Sequence, residues 1–532
     1  MTTAPSTPRP ARAALKSVRA IPNPRPEDRR PKAEDFEGRS PKAEGRKPKT
    51  ETRGRARFEL RPSGFGLRAS DLTRLRSSDF RAAEHDLPST GRTLEQPCRP
   101  ATNRRSFLQS LGIGVLAPLV LPGSVLGRDG GTAPSERVTL GMIGTGNQGS
   151  MHTQVMLGMP DAQVVAVCDP VRAKREGAQR RVEDAYAQSR GQAFKGCTAY
   201  ADFRDLVGRS DMDAVFVASP EHWHALHGLA ALRAGMDLYI EKALTTSIAE
   251  GRALVETARR YGRVVQVGTQ QRSSDPFRLA CELARNNYLG QLQTIRVGDP
   301  RGYPGPQVRD VPVPEGLDYE LWLGPAPWKP YFPERLENLK GWMLTYDYTV
   351  GFQSGWGQHD IDIAQWGNGT DHTGPIEVEG HAVFPSDGLN DTAMTWHTEY
   401  QYANGVRLIF TSDNENPYGI RFEGTTGSVF VNRSGIWSQP ESLVKVRFKS
   451  NDLRLYESRN HHRNFLDCVK TRQDTVCPIE AGHHANVICN LSDIATRLGR
   501  KLRWDPARER FLQDEPANQM LARAMRPPWH IY

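Results

Sequence analysis

Short apolar runs alternate with longer amphipathic stretches between residues 137 and 269. The strand-like runs are VTLGMI, AQVVAVC, DAVFVAS, MDLYIEK and RVVQVGT, and the segments between them carry apolar residues at helical spacing. Alternation of this kind predicts a parallel sheet with helices on both faces. We therefore expect an α/β domain over residues 135–268 that binds its ligand beyond the carboxyl ends of the strands.

The pattern changes in the second half of the chain. Segments such as TWHTEYQYANGVRLIFTS and RFEGTTGSVFVNRSGIWS alternate apolar and polar residues around NG and TTG turns. This is typical of antiparallel strands with one buried face. We predict a second domain over residues 269–504, followed by an arm over the surface at 505–532.

The first part of the chain reads differently again. Residues 1–102 are rich in Pro, Arg, Lys, Ser and Glu, and because this composition buries too little surface to offset the entropy of ordering, we predict a disordered basic leader. Residues 103–130 combine Arg104 and Arg105 with a short apolar run and small residues. This order resembles a twin-arginine export signal and predicts a periplasmic or otherwise exported protein. A buried helix beside a chance arginine pair is the alternative.

The net charge of +9 is confined to that leader. Residues 1–105 contain 25 Lys and Arg against 13 Asp and Glu, so the remaining chain has a net charge of −3. A folded part without excess positive charge lacks the field that binding along a nucleic-acid backbone needs. We therefore expect no nucleic-acid partner.

The seven cysteines show no spacing suited to a metal. They include no CxxC pair, and several lie in apolar runs, where cysteine behaves as a small core residue. We predict no metal site and interpret the cysteines as structural. A disulfide between Cys468 and Cys477 is the alternative.

The first apolar run leads into Gly144, Gly146 and Gly149, spaced as GxGxxG between a predicted strand and a predicted helix. In this context one glycine makes the turn, the second admits a pyrophosphate, and the third lets the helix approach the strand. Asp169 ends the next strand, where a carboxylate can bind ribose hydroxyls, which favours NAD. Arg172 lies close enough in sequence to meet a 2′-phosphate, so NADP stays open. These features predict a Rossmann dinucleotide-binding domain.

Polar residues gather where the predicted parallel strands end. They are Asn147 and Gln148, the Glu221–His224 cluster, and Glu241 with Lys242. Because ligands of such sheets sit beyond the carboxyl ends of the strands, we expect these residues to meet at the cofactor.

With these motifs in place, the chain resembles the Gfo/Idh/MocA family of oxidoreductases over about residues 136–505. The segment SPEHWHALHGLAALRAGMDLYIEKALT is similar to that family's series of strand, Pro-x-x-x-His, helix, strand and Glu-Lys-Pro. The resemblance implies an NAD(P)-binding Rossmann domain and a C-terminal α/β domain with a large, mostly antiparallel sheet. It also implies a homo-oligomer formed through that sheet.

The same resemblance implies roles for single residues. Lys242 would contact the nicotinamide region and the substrate hydroxyl, and His359 matches the histidine of an Asp-x-x-x-His catalytic pair. The residues that would flank the nicotinamide end are Pro220, His224 and Glu241.

Two positions depart from the family pattern. Gly355 stands where the acid of the Asp-x-x-x-His pair is expected, and Ala243 replaces the proline of Glu-Lys-Pro. A cis peptide at a residue other than proline costs about 2.5–4 kcal/mol. We therefore expect a trans or strained peptide before Ala243.

A helix is predicted to begin near Gly357. In that helix His359 and Asp362 are three residues apart on one face, whose earlier half can open into a cavity. An imidazole suits removal of a hydroxyl proton, Asp362 can orient the ring or bind a second hydroxyl, and Lys242 can stabilise a developing alkoxide. Asp360 points away and is the weaker candidate, and a helix-start hydrogen bond without chemistry is the alternative.

Aromatic residues near this segment favour a ring-shaped substrate. Tyr303, Tyr348 and Trp356 are predicted to stack on the apolar faces of a sugar or cyclitol, and a core or interface role is the alternative for each of them. The leading hypothesis is an exported NAD(P)-dependent oxidoreductase that oxidises a secondary hydroxyl of a sugar, glycoside or cyclitol. One alternative is a redox-assisted glycosidase, lyase or epimerase that keeps its cofactor bound. Another is a non-catalytic nucleotide- or sugar-binding protein of the same fold.

Overall fold

A computed structural model describes residues 132–191, 193–337 and 341–532. The predicted leader at 1–102 and the predicted export signal at 103–130 lie outside the described residues. None of the described helices combines the length and the apolar composition that crossing a bilayer would require.

The first sheet has six strands in the order β3-β2-β1-β4-β5-β6, and all its neighbours are parallel. Its central strands are buried because helices cover both faces. The strands are β1 (Val138–Ile143), β2 (Ala162–Cys168), β3 (Thr198–Tyr200), β4 (Ala214–Val217), β5 (Asp237–Ile240) and β6 (Val265–Val267). The helices of this part are α1 (Asn147–Leu157), α2 (Arg172–Arg190), α3 (Phe203–Val207), α4 (His224–Arg233) and α5 (Ile248–Tyr261).

The second sheet has nine strands in the order β13-β12-β11-β7-β10-β9-β8-β14-β15. The pair β7 and β10 is parallel and the other pairs are antiparallel. The strands are β7 (Leu292–Asp299), β8 (Glu377–Val383), β9 (Thr395–Gln401), β10 (Arg407–Ser412), β11 (Gly419–Gly424), β12 (Ser428–Asn432), β13 (Gly435–Gln439), β14 (Leu502–Asp505) and β15 (Arg510–Phe511). The helices are α6 (Asp275–Arg285), α7 (Tyr319–Leu323), α8 (Phe352–Gly355), α9 (Gly357–Asn368), α10 (His461–Thr471), α11 (Ile479–Leu498) and α12 (Glu515–Gln519). The predicted fold class is confirmed.

The nine-stranded sheet buries one face against helices. Strand β9 alternates buried and half-buried residues, and Leu408, Phe410 and Phe422 join a core that also contains residues of α9 and α11. Helix α9 begins at Gly357, as predicted, and every residue from Gly357 to Gly367 is buried. The polar side chains of α9 are therefore held between other elements.

Late segments of the chain return to the first sheet. Phe465 of α10 packs edge-on against Phe216 of β4, with ring centroids 5.4 Å apart. Near the C-terminus, Trp529 packs against Trp223 with ring centroids 4.8 Å apart. The predicted arm thus contributes to the packing of the nucleotide-binding part.

The six described cysteines are buried and free. The alternative of a disulfide between Cys468 and Cys477 is therefore wrong. Burial raises the pKa of Cys477 to about 12, so this thiol stays protonated and behaves as a core residue.

Candidate active site

The glycine turn between β1 and α1 forms a tight cradle. Gly144 has a φ of +84°, and a Cβ there would lie 2.6 Å from the backbone of Ala218. A Cβ on Gly149 would lie 1.8 Å from the oxygen of Gly144, so the helix can start here only without a side chain. A Cβ on Gly146 would meet nothing within 4 Å. This open side fits the pyrophosphate of a dinucleotide beside the N-terminus of α1.

A cleft of about 490 Å³ opens beside this cradle. Trp322 and Trp342, from the second half of the chain, line it together with the strand ends of the first sheet. The predicted cofactor residues that line it are Gly144, Gly146, Asn147, Gln148, Asp169 and Pro220. The structure thus brings most of the predicted nucleotide site together.

Asp169 also has a structural task in this cleft. Its Oδ2 accepts hydrogen bonds from the backbone N of Thr145 at 2.9 Å and from its hydroxyl at 3.2 Å. Its Oδ1 accepts from the backbone N of Val171 at 2.9 Å. The carboxylate thus fixes the glycine turn while it faces the cleft. The basic residue in the cleft lining is Lys174 rather than Arg172.

Glu241 is a buried carboxylate under the cleft. Gln148 Nε2 donates to Glu241 Oε1 at 3.1 Å, and His152 Nε2 lies 2.9 Å from the same oxygen. Burial alone would raise the pKa of Glu241, but His152, Lys242 and Gln148 hold it at about 2. Glu241 is therefore charged, and it positions the Gln148 side chain at the cofactor cleft.

His224, which does not line the cleft, joins the loops after β4 and β5. Its Nδ1 lies 2.7 Å from the oxygen of Ala243, and its Nε2 lies 2.8 Å from the oxygen of Ser219. Burial lowers the pKa of His224. Both ring nitrogens face backbone oxygens, so His224 holds the loops after β4 and β5 at a set spacing.

Lys242 reaches from the end of β5 into the second half of the chain. Its Nζ donates to the backbone oxygen of Gly355, at the end of α8, at 2.7 Å. Burial lowers the pKa of Lys242, while the carboxylates of Glu241 and Glu221 oppose this change. The contact places an ammonium group beside the segment that begins α9.

The peptide between Lys242 and Ala243 is cis, so the expectation of a trans peptide was wrong. Hydrogen bonds on both sides hold this loop. The backbone N of Leu244 donates to Gln358 Oε1 at 2.7 Å, and His224 contacts Ala243 as described above. These long-range partners cannot be recognised in the local sequence.

His359 lies in the first turn of α9, four residues after Gly355. It is buried, and its Nδ1 has no hydrogen-bond partner among the described residues. Burial lowers its pKa well below the ordinary value, and the charges of Lys242 and Arg433 lower it further. The imidazole is therefore neutral near physiological pH and can accept a proton.

Asp362 does not share this environment. Both its oxygens accept hydrogen bonds from the guanidinium of Arg272, at 2.7 Å each, and Arg272 also donates to Asp371 at 2.6 Å. Burial alone would lower the pKa of Arg272, but these carboxylates raise it well above its ordinary value. Asp362, a residue of α9, belongs to a buried ion pair with Arg272. It is therefore not available to orient His359 or to bind substrate.

The three predicted aromatic contacts separate in the structure. Tyr348 is fully buried and packs against His222 and Trp322, with ring centroids 4.9 and 5.2 Å apart. It is a core residue rather than a substrate contact, because aromatic neighbours surround it. Tyr303 is 39% exposed, and its backbone oxygen accepts from Asn390 at 3.0 Å.

Trp356 is half-buried and lies next to the catalytic candidates. Its ring centroid is 6.1 Å from that of His359 and 5.7 Å from that of Tyr418. The guanidinium of Arg433, which follows β12, lies 4.8 Å over the Trp356 ring. We call Glu221, Lys242, the segment from Gly355 to His359, and Arg433 the corner around Lys242. Trp356 belongs to this corner, and Tyr418 packs beside it.

Of two buried acids near Arg433, Asp299 was not predicted from the sequence, whereas Asp360 was the weaker catalytic candidate. Asp299 ends β7, and burial together with the charge of Asp360 raises its pKa well above the ordinary value. Asp360 accepts from Gln271 Nε2 at 2.7 Å. Two interacting buried carboxyls cannot both ionise readily, and burial raises the pKa of Asp360 as well. An acid at the end of an apolar run, as at Asp169, was the available signal for Asp299. No feature of the sequence pointed to Arg433, because it lies in an ordinary turn.

Two pairs of adjacent histidines, His461-His462 and His483-His484, are buried and serve as internal polar residues. His461 Nε2 lies 3.0 Å from the oxygen of Val267, and His483 Nε2 lies 2.8 Å from Glu509 Oε1. Across the described ranges, no group of three or more His, Cys, Asp and Glu side chains is placed to hold a metal ion.

Family models match both halves of the described chain. A model of the oxidoreductase family's NAD-binding Rossmann fold matches residues 138–269, and a model of its C-terminal alpha/beta domain matches residues 304–531. Fold and cleft thus define an NAD(P)-dependent oxidoreductase. The chain belongs to the Gfo/Idh/MocA family of that class, which confirms the family resemblance.

Relatives differ in their described activities. The uncharacterized oxidoreductase YrbE of Bacillus subtilis is 23% identical over 379 residues, which are 69% of this chain and 96% of that protein. A glycosyl hydrolase family 109 protein of Saccharopolyspora erythraea is 30% identical over 158 residues, 30% of this chain and 34% of that protein. An inositol 2-dehydrogenase/D-chiro-inositol 3-dehydrogenase of Shouchella clausii is 32% identical over 161 residues, 30% of this chain and 43% of that protein.

Among solved structures, the fold is similar to that of the WlbA dehydrogenase from Bordetella pertussis in complex with NADH and UDP-GlcNAcA. The TM-score is 0.52 at 14% identity, and the match covers 69% of this chain and 99% of that chain. This likeness supports the two-part architecture.

Proposed function

We propose that this protein oxidises a secondary hydroxyl of a sugar, glycoside or cyclitol with NAD as hydride acceptor. The observation that carries the proposal is the contact of Lys242 Nζ with the oxygen of Gly355. It brings an ammonium group from the nucleotide-binding half next to the helix that presents the neutral imidazole of His359. NADP remains the alternative cofactor.

Different residues of the corner have different roles in such a reaction. NAD, when bound, supplies the acceptor for the hydride that leaves the substrate carbon. The proton of the same hydroxyl passes to the neutral imidazole of His359. The ammonium of Lys242 stabilises the negative charge that develops on the substrate oxygen. Gly144, Gly146 and Asp169 hold the nucleotide at the other end of the cleft.

The proposed substrate class rests on Trp356, an aromatic residue of the corner. Trp356 is half-buried and has Arg433 over one face, and its other face is of the apolar kind that sugar and cyclitol rings pack against. The similarity to an inositol dehydrogenase is consistent with a secondary hydroxyl on a ring. Tyr303 remains a further predicted contact.

The test begins with the full-length protein. Its nucleotide is released by denaturation and identified, and the loaded protein is then mixed with a panel of sugars, glycosides and cyclitols. We expect the near-ultraviolet absorbance of reduced nicotinamide to rise with at least one of them. His359→Gln should abolish this rise, whereas the exposed His372, changed to Gln, is the matched control and should leave it intact. Nucleotide binding without any reduction across the panel would instead indicate a non-catalytic binding protein.

A second candidate function is redox-assisted cleavage, elimination or epimerisation with a retained cofactor. The similarity to a glycosyl hydrolase family 109 protein favours it. In that case product forms from catalytic amounts of nucleotide, and no net reduced nicotinamide accumulates. Measuring product and reduced nicotinamide in the same reaction separates the two functions.

Two further parts of the proposal concern location and assembly. The pattern at residues 103–130 supports export by the twin-arginine route, so Arg104→Lys together with Arg105→Lys should retain the protein in the cytoplasm. The nine-stranded sheet carries Val383 and Trp437, which are 55% and 50% exposed, and this supports a homo-oligomer formed through it. Light scattering of Val383→Asp and Trp437→Asp variants should then show smaller particles.

A further inference from the structure

Glu221 is a buried carboxyl group with one unpaired oxygen. It begins the short turn Glu221–Trp223 after β4. Its Oε2 accepts hydrogen bonds from the hydroxyls of Thr349 at 2.7 Å and Ser354 at 3.3 Å. Its Oε1 is buried and has no hydrogen-bond partner among the described residues. An unpaired buried polar atom is costly, so this arrangement calls for an explanation other than stability.

The unpaired oxygen lies next to position 355. A Cβ built on Gly355 would be 3.8 Å from Glu221 Oε1. The backbone oxygen of the same glycine accepts the hydrogen bond from Lys242 Nζ. Position 355 is also where the family resemblance predicts an acid, four residues before His359. The carboxyl group that α8 lacks is therefore matched by one from the loop after β4.

The surroundings of Glu221 suit a carboxyl group that titrates near neutrality. Burial raises its pKa to about 7, against the opposing effects of Thr349, Lys242 and Ser354. Lys242, from the loop after β5, acts on Glu221 from a neighbouring element, and Glu221 in turn raises the pKa of the Cys489 thiol in α11. On its own segment, burial lowers the pKa of both His222 and His224.

We propose that Glu221 replaces the acid missing at position 355 and acts as a positioning residue, whose carboxylate keeps Lys242 charged and directed at the corner beside His359. The inference rests on the proposed function, since it assigns a role within the same site. In this arrangement the charge of Lys242 is supported by a carboxylate from its own half of the chain, and α8 contributes a backbone oxygen instead of a side chain.

Three variants of the full-length protein test this inference. Glu221→Gln keeps the size of the side chain and removes its charge, so kcat should fall about 100-fold while the Kd for NADH is unchanged. Gly355→Asp should fit sterically, because its Cβ would lie 3.3 Å from the flexible side chain of Met343 and 3.8 Å from Glu221 Oε1, but the second buried carboxyl should raise the pKa of Glu221 further. In Glu221→Gln with Gly355→Asp, the returned carboxylate should recover about tenfold in kcat.

The pH profile supplies a readout that a purely structural role would not change. In the wild type, kcat should rise as the pH passes about 7, where Glu221 loses its proton. Glu221→Gln should lack this limb. Thr349→Val removes the hydrogen bond to Oε2, so it should move the limb to higher pH, and it serves as the second variant if Glu221→Gln does not fold.

The outcomes separate the two proposals. If the wild type oxidises a substrate and Glu221→Gln retains both its rate and its pH limb, this inference is rejected and the proposed function stands. An unmoved limb in Thr349→Val rejects the inference as well. If none of the tested hydroxyl compounds causes the loaded wild type to reduce its nucleotide, the proposed function fails and the inference fails with it.

Discussion

The nucleotide cradle and the corner around Lys242 are assembled in different ways. Most of the cradle lies within one continuous segment from Gly144 to Asp169, and close backbone contacts, including one with Ala218 in the loop after β4, determine its shape. The corner combines Glu221, Lys242, the segment from Gly355 to His359, and Arg433, which are distant in sequence. One region depends on what the backbone can do locally, and the other depends on which charges the two halves bring together.

This difference predicts different responses to substitution. In the cradle, an added methyl group acts through steric exclusion, and its effect depends on which glycine receives it. In the corner, a change of charge acts through electrostatics in a buried environment, where it is strong because water does not screen it. The effects below are ordered from the largest to the smallest.

The largest effect is expected from Lys242→Met. Loss of the ammonium removes the charge that stabilises the developing alkoxide, so kcat should fall about 1000-fold. NADH titration should show nearly unchanged binding, because the cradle is intact. Lys195, whose side chain is 81% exposed, is the control, and Lys195→Met should retain full activity. A kcat for Lys242→Met close to that of the wild type would contradict the assignment.

The next effect concerns the ion pair behind the corner. Arg272→Met leaves Asp362 and Asp371 without their partner, so the free energy of unfolding should fall by about 3–5 kcal/mol, as urea titration would measure. Arg180, in an exposed pair with Glu176, is the control, and Arg180→Met should change stability by less than about 0.5 kcal/mol. Equal effects of the two variants would show that Asp362 is not held as described.

The cradle offers a matched pair of glycines. Gly149→Ala places a Cβ 1.8 Å from a backbone oxygen, so the turn must shift, and the free energy of unfolding should fall by about 1–3 kcal/mol. Gly146→Ala meets no neighbouring atom, so stability should be retained while the methyl group weakens NADH binding from the open side. Thermal unfolding and NADH titration of both variants check this. The reverse pattern would mean that the open side of the turn is misassigned.

The smallest effect, measured per pH unit, concerns His461, the first residue of α10. Burial lowers its pKa from 6.5 to about 4, so between these values the unfolded chain binds a proton that the folded protein does not. Stability should therefore rise with pH in this window, by about 1.4 kcal/mol per unit for this group. His461→Asn should reduce the slope of unfolding free energy against pH by that amount. An unchanged slope would indicate that His461 titrates normally in the folded protein.

The first sheet was predictable because its signals are local. Apolar runs of strand length, helical spacing between them, and glycines at the first turn each act over a few residues, and all point to the same fold. The start of α9 at Gly357 was predictable for the same reason. The return of α10 and of Trp529 to the nucleotide-binding part was not, since no local pattern specifies a distant partner.

The site shows the same limit at the level of single residues. Helical spacing correctly placed Asp362 three residues after His359, yet spacing does not reveal that Arg272 occupies both of its oxygens. Tyr348 has an aromatic side chain that could stack on a sugar, but its neighbours make it part of the core. Asp299 follows the same strand-end rule as Asp169 and was within reach of sequence reasoning.

The dinucleotide fold and the glycine cradle followed from the sequence alone, because periodicity and backbone sterics act between near neighbours, and the family resemblance pointed to Lys242 and His359 as candidates. Only the tertiary structure decided which carboxyls are paired, which remain unpaired, and that Glu221 faces the position where α8 lacks an acid. The physical reason is that burial and charge interactions depend on distances in space, and the chain sets these only when its two halves pack together.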